Sequence, residues 1–185
     1  ERSDERRKRL QKVIADYVPL VMRSRVNITG LDGTISQWFK KDFYDKVLVD
    51  APCSSDRHVL HDKDQMVRWT TALTKEMHQK QYLLLLTALH TVKPGGTVVY
   101  GTCSLSQMEN DDVIEKALVN KFGLKFQVVK RTFAIGEPTK HGWIVLPDKG
   151  GWGPLYFAIL RKLGPEELQQ STETPEKQEV ISTQD

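Results

Sequence analysis

Apolar positions along this chain follow two periods, and the switching between them sets out a series of helices and strands. Leu10, Val13, Ile14 and Tyr17 fall at i, i+3, i+4 and i+7, one apolar stripe on a helix over residues 3–17. Arg6, Arg7, Lys8 and Arg9 crowd its first turns as a solvated face, and Pro19 limits it. Residues 25–29 alternate as a short strand before the turn Gly30-Leu31-Asp32-Gly33. Within residues 43–49, Val47, Leu48 and Val49 form the continuous apolar run expected of a strand buried on both faces. Asp50-Ala51-Pro52-Cys53 breaks that strand, and residues 54–72 read as a long polar loop or irregular helix of the kind that carries function. Residues 75–92 form a helix with a broad apolar surface that includes Tyr82, Leu85, Leu86 and Leu89, and Lys93-Pro94-Gly95-Gly96 stops it. The next β-rich run, 97–100, leads into Gly101-Thr102-Cys103. Ser106 and Glu109 stand at capping-box spacing for a further helix, and strands follow at 126–131, 142–146 and 155–161.

Strands alternating with helices predict an α/β fold with a mainly parallel sheet, and the short Gly-rich connections near the end predict an antiparallel finish. No internal repeat is present. The 185 residues suffice for one compact unit, and 39% apolar with 28% charged residues is ordinary for a globular chain. Residues 1–163 are expected to fold, and 164–185 to be a disordered acidic tail with almost nothing to bury. The formal charge of +3 conceals an asymmetry: residues 166–185 hold six acids and one base, a net of −5, which leaves +8 on the rest. Such a body suits a polyanionic partner without identifying one. No apolar run approaches membrane-spanning length, so no membrane association is expected, and the first residues form no signal peptide. The chain opens abruptly in charged helical sequence, so a targeting segment is expected, if at all, in an N-terminus absent from it.

The chain has two cysteines, Cys53 and Cys103, a poor disulfide framework that fits a reducing compartment. The strand–loop–helix–strand stretch over 44–102 predicts parallel neighbours, and ligands of such sheets sit beyond the carboxyl ends of the strands. Cys53 lies three residues past the first strand and Cys103 at the end of the second, so both thiols belong to one rim. Adjacent strands are roughly 4.8 Å apart, close enough for the two loops to face one another across a small ligand. A thiol attacks only as a thiolate, from an ordinary pKa of about 8.5. Cys103 stands just before an expected helix N-terminus, which favours negative charge, and Cys53 has no such helper. Two small buried apolar side chains and a redox pair remain alternative readings, although the pair lacks CxxC spacing. No metal site is expected.

Asp50-Ala51-Pro52-Cys53-Ser54, then Lys93-Pro94-Gly95-Gly96, then Tyr100-x-Thr102-Cys103-Ser104 with Glu109-Asn110 following, resemble the Sun/Fmu-type RNA cytosine-5 methyltransferases in order and spacing. Glu1-x-Ser3-x-x-Arg6-x-x-Arg9-Leu10 resembles the stretch after that family's second core strand, and Asp32 the acid after the third. Trp152-Gly153-Pro154-Leu155-Tyr156 resembles its closing hairpin. Cys53-Ser54-Ser55-Asp56-Arg57-His58 and Arg9-Leu10-Gln11-Lys12 are most similar to the mitochondrial ribosomal-RNA branch, although Ser55-Asp56-Arg57 replaces the Gly-rich continuation of many relatives.

The resemblance implies a Rossmann-like methyltransferase fold with sheet order 3-2-1-4-5-7-6. Its first two strands, its Gly-rich cofactor loop and a catalytic lysine would precede Glu1, so the chain reads as the C-terminal part of the catalytic domain. The strand at 25–29 would then stand about three spacings, roughly 14 Å, from that at 46–50, with no ladder partner. The implied reaction is S-adenosylmethionine-dependent methylation of cytosine carbon 5 in RNA, ribosomal RNA above all. Cys103 would attack C6, Asp50 would bind the N3/N4 edge of the base, and Cys53 would remove the C5 proton or release the adduct. Glu1, Arg6, Asp32 and Asp50 would bind the cofactor, and Pro52, Ser54 and Arg57 the RNA. A helical-repeat protein partner and a mitochondrial location also follow from the resemblance, with nucleus or cytoplasm as alternatives. A DNA cytosine methyltransferase fits less well, because those enzymes attack with the Pro-Cys thiol and lack the Thr-Cys-Ser one. The alternative of another class is a catalytically silent piece that binds RNA or a protein without methyl transfer.

Removal of residues 166–185 should change stability by less than about 0.5 kcal/mol, because that composition buries almost no apolar area. Thermal melts of the truncated and intact chains test this, and a large drop in Tm would show that the tail docks.

Overall fold

The computed structural model describes residues 1–54, 70–148, 150–164 and 166–167. In chain order its elements are α1 (Asp4–Tyr17), α2 (Leu20–Arg23), β1 (Tyr44–Asp50), α3 (Thr71–Thr91), β2 (Val92–Thr102), α4 (Asp111–Leu118), β3 (Phe126–Val128), β4 (Glu137–Pro138), β5 (Trp143–Val145) and β6 (Leu155–Lys162). Short 3-10 turns cover Ser36–Trp38 and Gln107–Glu109. One sheet runs in the order β1-β2-β6-β5-β4, with β3 also paired to β6. β1 and β2 are parallel, and Asp50 stands opposite Gly101. The other ladders are antiparallel, so the parallel share among the described residues is smaller than the mainly parallel sheet expected.

The Lys-Pro-Gly-Gly segment does more than end α3. It forms an irregularity inside β2, where Tyr44 pairs with Val92 but Lys46 already pairs with Thr97. Gly95 takes a φ of +78°, and a Cβ on Gly96 would stand 2.8 Å from the Asp45 carbonyl oxygen. Only glycine permits this excursion without forcing the strands apart.

The core lies on one face of the sheet. Leu85, Ala88 and Leu89 of α3 and Val113, Ile114 and Ala117 of α4 cover Val49, Val98, Tyr100, Tyr156, Ala158 and Leu160. Tyr100 and Tyr156 meet edge to face at 6.3 Å between ring centres. The strand expected to be buried on both faces is buried on one: Val49 faces the core, whereas Leu48, pointing the other way, is 73% exposed. Alternation of side chains across the pleat is the reason, since the buried cluster occupies the α3 and α4 side. The apolar stripe of α1 likewise buries none of its residues.

Three further expectations are corrected. Residues 26–32 have no regular structure, so the strand at 25–29 is absent, because a strand persists only where a neighbouring edge takes up its backbone groups. The capping box is not formed. Ser106 makes no side-chain cap, and the helix begins at Asp111 after a 3-10 turn because the Glu109 carboxylate is committed elsewhere. The expected strand at 126–131 shortens to Phe126–Val128. Most of the 54–72 loop and nearly all of the 164–185 tail lie outside the described residues.

Lys162, at the end of β6, caps the C-terminus of α3 from inside. Its ammonium donates to the carbonyls of Leu89 at 2.7 Å and Val92 at 3.0 Å and pairs with Asp42 at 2.6 Å. Lys162→Met should therefore destabilise the fold by about 2–3 kcal/mol, because the stem packs as before while orphan carbonyls and a carboxylate lose their donor. Urea denaturation measures this, and a loss below about 0.5 kcal/mol would show that water replaces the ammonium.

Candidate active site

The parallel ladder delivers the two cysteine loops to the same end of the sheet. β1 ends at Asp50 and β2 at Thr102, and the sulfurs of Cys53 and Cys103 lie 2.7 Å apart. Both cysteines are partly buried. The helix-terminus argument for Cys103 does not hold, because α4 starts eight residues after it and its first turn carries Asp111 and Asp112. Geometry alone therefore brings the thiols together without ranking them.

What fixes the loops is Glu109, whose spacing suggests a capping box and which belongs to the motif that follows Cys103. Its fully buried carboxylate accepts from the Ser54 N–H at 2.9 Å and the Gln81 amide at 2.8 Å through Oε2. Through Oε1 it accepts from the hydroxyls of Ser54 and of Ser104, the latter at 3.2 Å. The Gln81 amide also donates to the Pro52 carbonyl at 2.8 Å. Asn110 grips the second loop, accepting from the Thr102 hydroxyl at 2.6 Å and donating to the Ser104 carbonyl at 2.9 Å. Burial raises the pKa of Tyr100 well above its ordinary value, so its hydroxyl stays protonated and donates to the Glu109 carbonyl at 2.6 Å. Glu109 and Asn110 stand in the motif that carries the family resemblance; their role is legible only once the loops are placed.

Of the residues expected to face RNA, Pro52 is exposed. Ser54 is 4% exposed, and both its N–H and its hydroxyl turn inward to Glu109. Arg57 lies outside the described residues. Asp50 is exposed at the end of β1.

Three of the expected cofactor residues gather in one patch. The Glu1 carboxylate accepts from the Ser3 N–H at 3.0 Å and pairs with Arg6 at 3.2 Å. Asp32 accepts from the Thr34 N–H at 2.9 Å and hydroxyl at 2.7 Å, and pairs with Arg2 at 2.9 Å. Arg2, next in sequence to Glu1, thus links the two acids. The Ser3 hydrogen bond first, then Arg6, hold Glu1 below the usual carboxylate range; for Asp32 the Thr34 bonds come first and Arg2 second. A separate cleft of about 390 Å³, with Lys130, Arg131, Phe133 and Trp143 in its wall, is lined by neither cysteine loop. Among the described residues no cluster of His, Cys, Asp and Glu has the makings of a metal site.

Residues 2–161 match the family model described as 16S rRNA methyltransferase RsmB/F. The chain is 38% identical over 168 residues to a Danio rerio protein named "tRNA (cytosine(34)-C(5))-methyltransferase, mitochondrial", covering 83% of this chain and 45% of that one. It is 37% identical over 179 residues to the Mus musculus "5-cytosine rRNA methyltransferase NSUN4", covering 87% and 47%. The chain thus spans about half the length of the curated relatives it matches. Among solved structures it resembles PH0851, with a TM-score of 0.72 and 26% identity over 86% of this chain and 35% of that one.

Asp32 yields a pH prediction. Its folded pKa is depressed below 3.8, so its stabilising contribution is complete above that value and is lost as pH falls through the lower folded one. Thr34→Val, which removes the hydroxyl donor, should raise the Asp32 pKa more than Arg2→Ala does, because the hydrogen bond outweighs the exposed ion pair. Carboxyl carbon NMR titration reads both shifts, and the reverse order would show that the ion pair dominates.

Proposed function

The chain belongs to the RsmB/F family of 16S rRNA methyltransferases, and from that premise we propose that it carries the reacting thiols of an enzyme that methylates carbon 5 of cytosine in RNA, ribosomal RNA first. The observation that carries this reading is the meeting of Cys53 and Cys103 at the ends of two parallel strands, with sulfurs 2.7 Å apart. A structural cysteine has no need of such a neighbour. An enzyme that adds a thiolate to a base and later expels it has a use for both.

Carbon 5 of cytosine is too electron-poor to attack a methyl group directly. The Cys103 thiolate forms a bond to C6, and the displaced electron pair moves into the ring, leaving an enamine whose C5 is nucleophilic. Asp50, at the carboxyl end of β1, binds the N3/N4 edge and supports protonation of N3 as the adduct forms. Once C5 carries its methyl group, its proton leaves, the C6–S bond breaks and the Cys103 thiolate departs. Cys53 takes part in that second half, as the acceptor of the proton or an aid to release. The base must be single-stranded or flipped out to reach the rim.

S-adenosylmethionine is the cofactor this reading requires, and it supplies an electrophilic methyl group when bound. The residues fit it: Glu1 and Asp32 are acceptors whose pKa values are held low, each paired with an arginine, and suited to ribose hydroxyls and to the adenine amino group respectively. Arg6 orients Glu1, and the same reading gives Asp50, at the end of β1, a share in holding the cofactor. A mitochondrial site of action and a helical-repeat delivery partner belong to the same reading; the name of the Danio rerio relative supports the first.

Variants of the two thiols, in the protein that carries this chain, test the mechanism. Cys103→Ala should abolish both methylation and covalent RNA capture. Cys53→Ala should still permit attack, so that RNA-linked protein resistant to denaturing electrophoresis accumulates in that variant alone. Capture in Cys103→Ala and not in Cys53→Ala would reverse the two roles. No capture in either, with stability losses of about 1 kcal/mol, would leave two structural cysteines and a silent module.

A further inference from the structure

The mechanism above gives Glu109 no part, yet this buried carboxylate sits at the joint between the two thiol loops. Ser54 follows Cys53 in the chain, and Ser104 follows Cys103. Oε2 takes the Ser54 N–H at 2.9 Å, and Oε1 takes the hydroxyls of Ser54 and Ser104, the latter at 3.2 Å. A single three-atom carboxylate therefore ties together the residues next to both sulfurs. From α3 the Gln81 amide donates to Oε2 at 2.8 Å, and reaches the Pro52 carbonyl with the same nitrogen. The backbone of Glu109 is itself held, through its carbonyl, by Tyr100 of β2 at 2.6 Å.

We propose that Glu109 is a positioning residue that holds the Cys53 and Cys103 sulfurs together at the rim, and so presents the thiol pair as a unit to a bound base. The proposal rests on the reading of Cys103 as nucleophile and Cys53 as its partner in release. The carboxylate's hydrogen bonds go to Ser54, Ser104 and Gln81 and to neither sulfur. It acts through one peptide unit on each side, where a shift of about 1 Å is enough to lower a rate by two orders of magnitude. Among the described residues no cation pairs with it: the donors are two serine hydroxyls, an amide and a backbone N–H. A buried carboxylate needs these donors as much as the loops need it, so neither loop moves without orphaning a charge.

Phenylarsine oxide separates thiol spacing from catalysis. It joins two thiols, forming two As–S bonds and releasing water, only where both sulfurs reach one arsenic atom. Its capture by the protein that carries this chain is titrated beside methyl transfer to RNA. Wild type should capture it stoichiometrically, and Cys53→Ala should not. Glu109→Ala should weaken capture about tenfold or more and lower kcat to a similar extent, with the KM for RNA within about twofold, since no RNA contact is removed. Glu109→Gln keeps the volume and one carbonyl oxygen for the Ser54 N–H and Gln81, and should recover part of both losses. A purely structural role predicts a lower Tm with capture and kcat unchanged in the folded fraction, and that result would overturn the proposal. Should Glu109→Ala fail to fold, Ser104→Ala, which cuts the carboxylate's tie to the Cys103 loop together with the bond from the Ser106 N–H, decides with Glu109→Gln, which leaves that bond intact: wild-type capture in both would overturn it, and a graded loss in both supports it. An RNA-inactive wild-type protein sinks the proposed reaction instead, and arsenical capture then judges the spacing role alone.

Discussion

A buried negative charge governs the site. The Glu109 carboxylate has left water, a transfer that costs several kcal/mol unless hydrogen bonds replace those it gave up. Its replacements come from the two cysteine loops and the middle of α3, elements far apart in sequence. Each donor left unmatched would cost about 1–3 kcal/mol, so the loops, the helix and the 3-10 turn are stable only together. This mutual need, rather than hydrophobic packing, fixes the positions of two thiols on otherwise irregular backbone. The cost of arranging them is met on folding, before any ligand arrives.

Glu109 is the first of three consecutive polar residues that wire the functional end of the sheet. Asn110 holds the Cys103 loop by its Thr102 hydroxyl and Ser104 carbonyl. Asp111 reaches the other way, accepting from the Thr139 hydroxyl and the His141 N–H at 2.9 Å each, the Lys140 N–H at 3.0 Å and the Tyr156 hydroxyl at 2.8 Å. It thereby ties the N-terminus of α4 to the turn before β5 and to β6. Burial, then the Asp111 hydrogen bond, push the Tyr156 pKa up, which keeps that hydroxyl a donor. At the opposite end of the sheet Lys162 performs the same service for α3, so the helix that supplies Gln81 is anchored at its C-terminus as well. Polar tethers at both ends and an apolar core between them leave little freedom for the reacting loops.

The two parts of the site differ in kind. The thiol rim is built on strand ends and buried hydrogen bonds. The acidic patch of Glu1 and Asp32 is held by exposed ion pairs and turn hydrogen bonds, which solvent and salt weaken. On the proposed reading the patch can yield to its ligand, whereas the thiols have to be in place beforehand. The contrast also places the family resemblance in physical terms: the motifs around the cysteines are those whose every residue has a fixed partner.

Much of this was legible in the sequence. The alternation of apolar periods gave α1, α3 and the paired strands β1 and β2, and the strand–helix–strand order implied that Cys53 and Cys103 share a rim. The order of the cysteine and glycine motifs gave the family. These features are local, or follow from the handed, short connections of parallel strands, so one chain's pattern suffices to read them. Tertiary structure alone decided the rest. Leu48 is exposed because the core gathers on one face, and residues 25–29 form no strand because no edge receives them. Ser54 faces inward and Ser106 caps nothing because a carboxylate drawn into the core by four donors overrides the capping box its spacing suggested. The destination of a polar side chain depends on which partners folding brings within about 3 Å, and spacing along the chain does not carry that information.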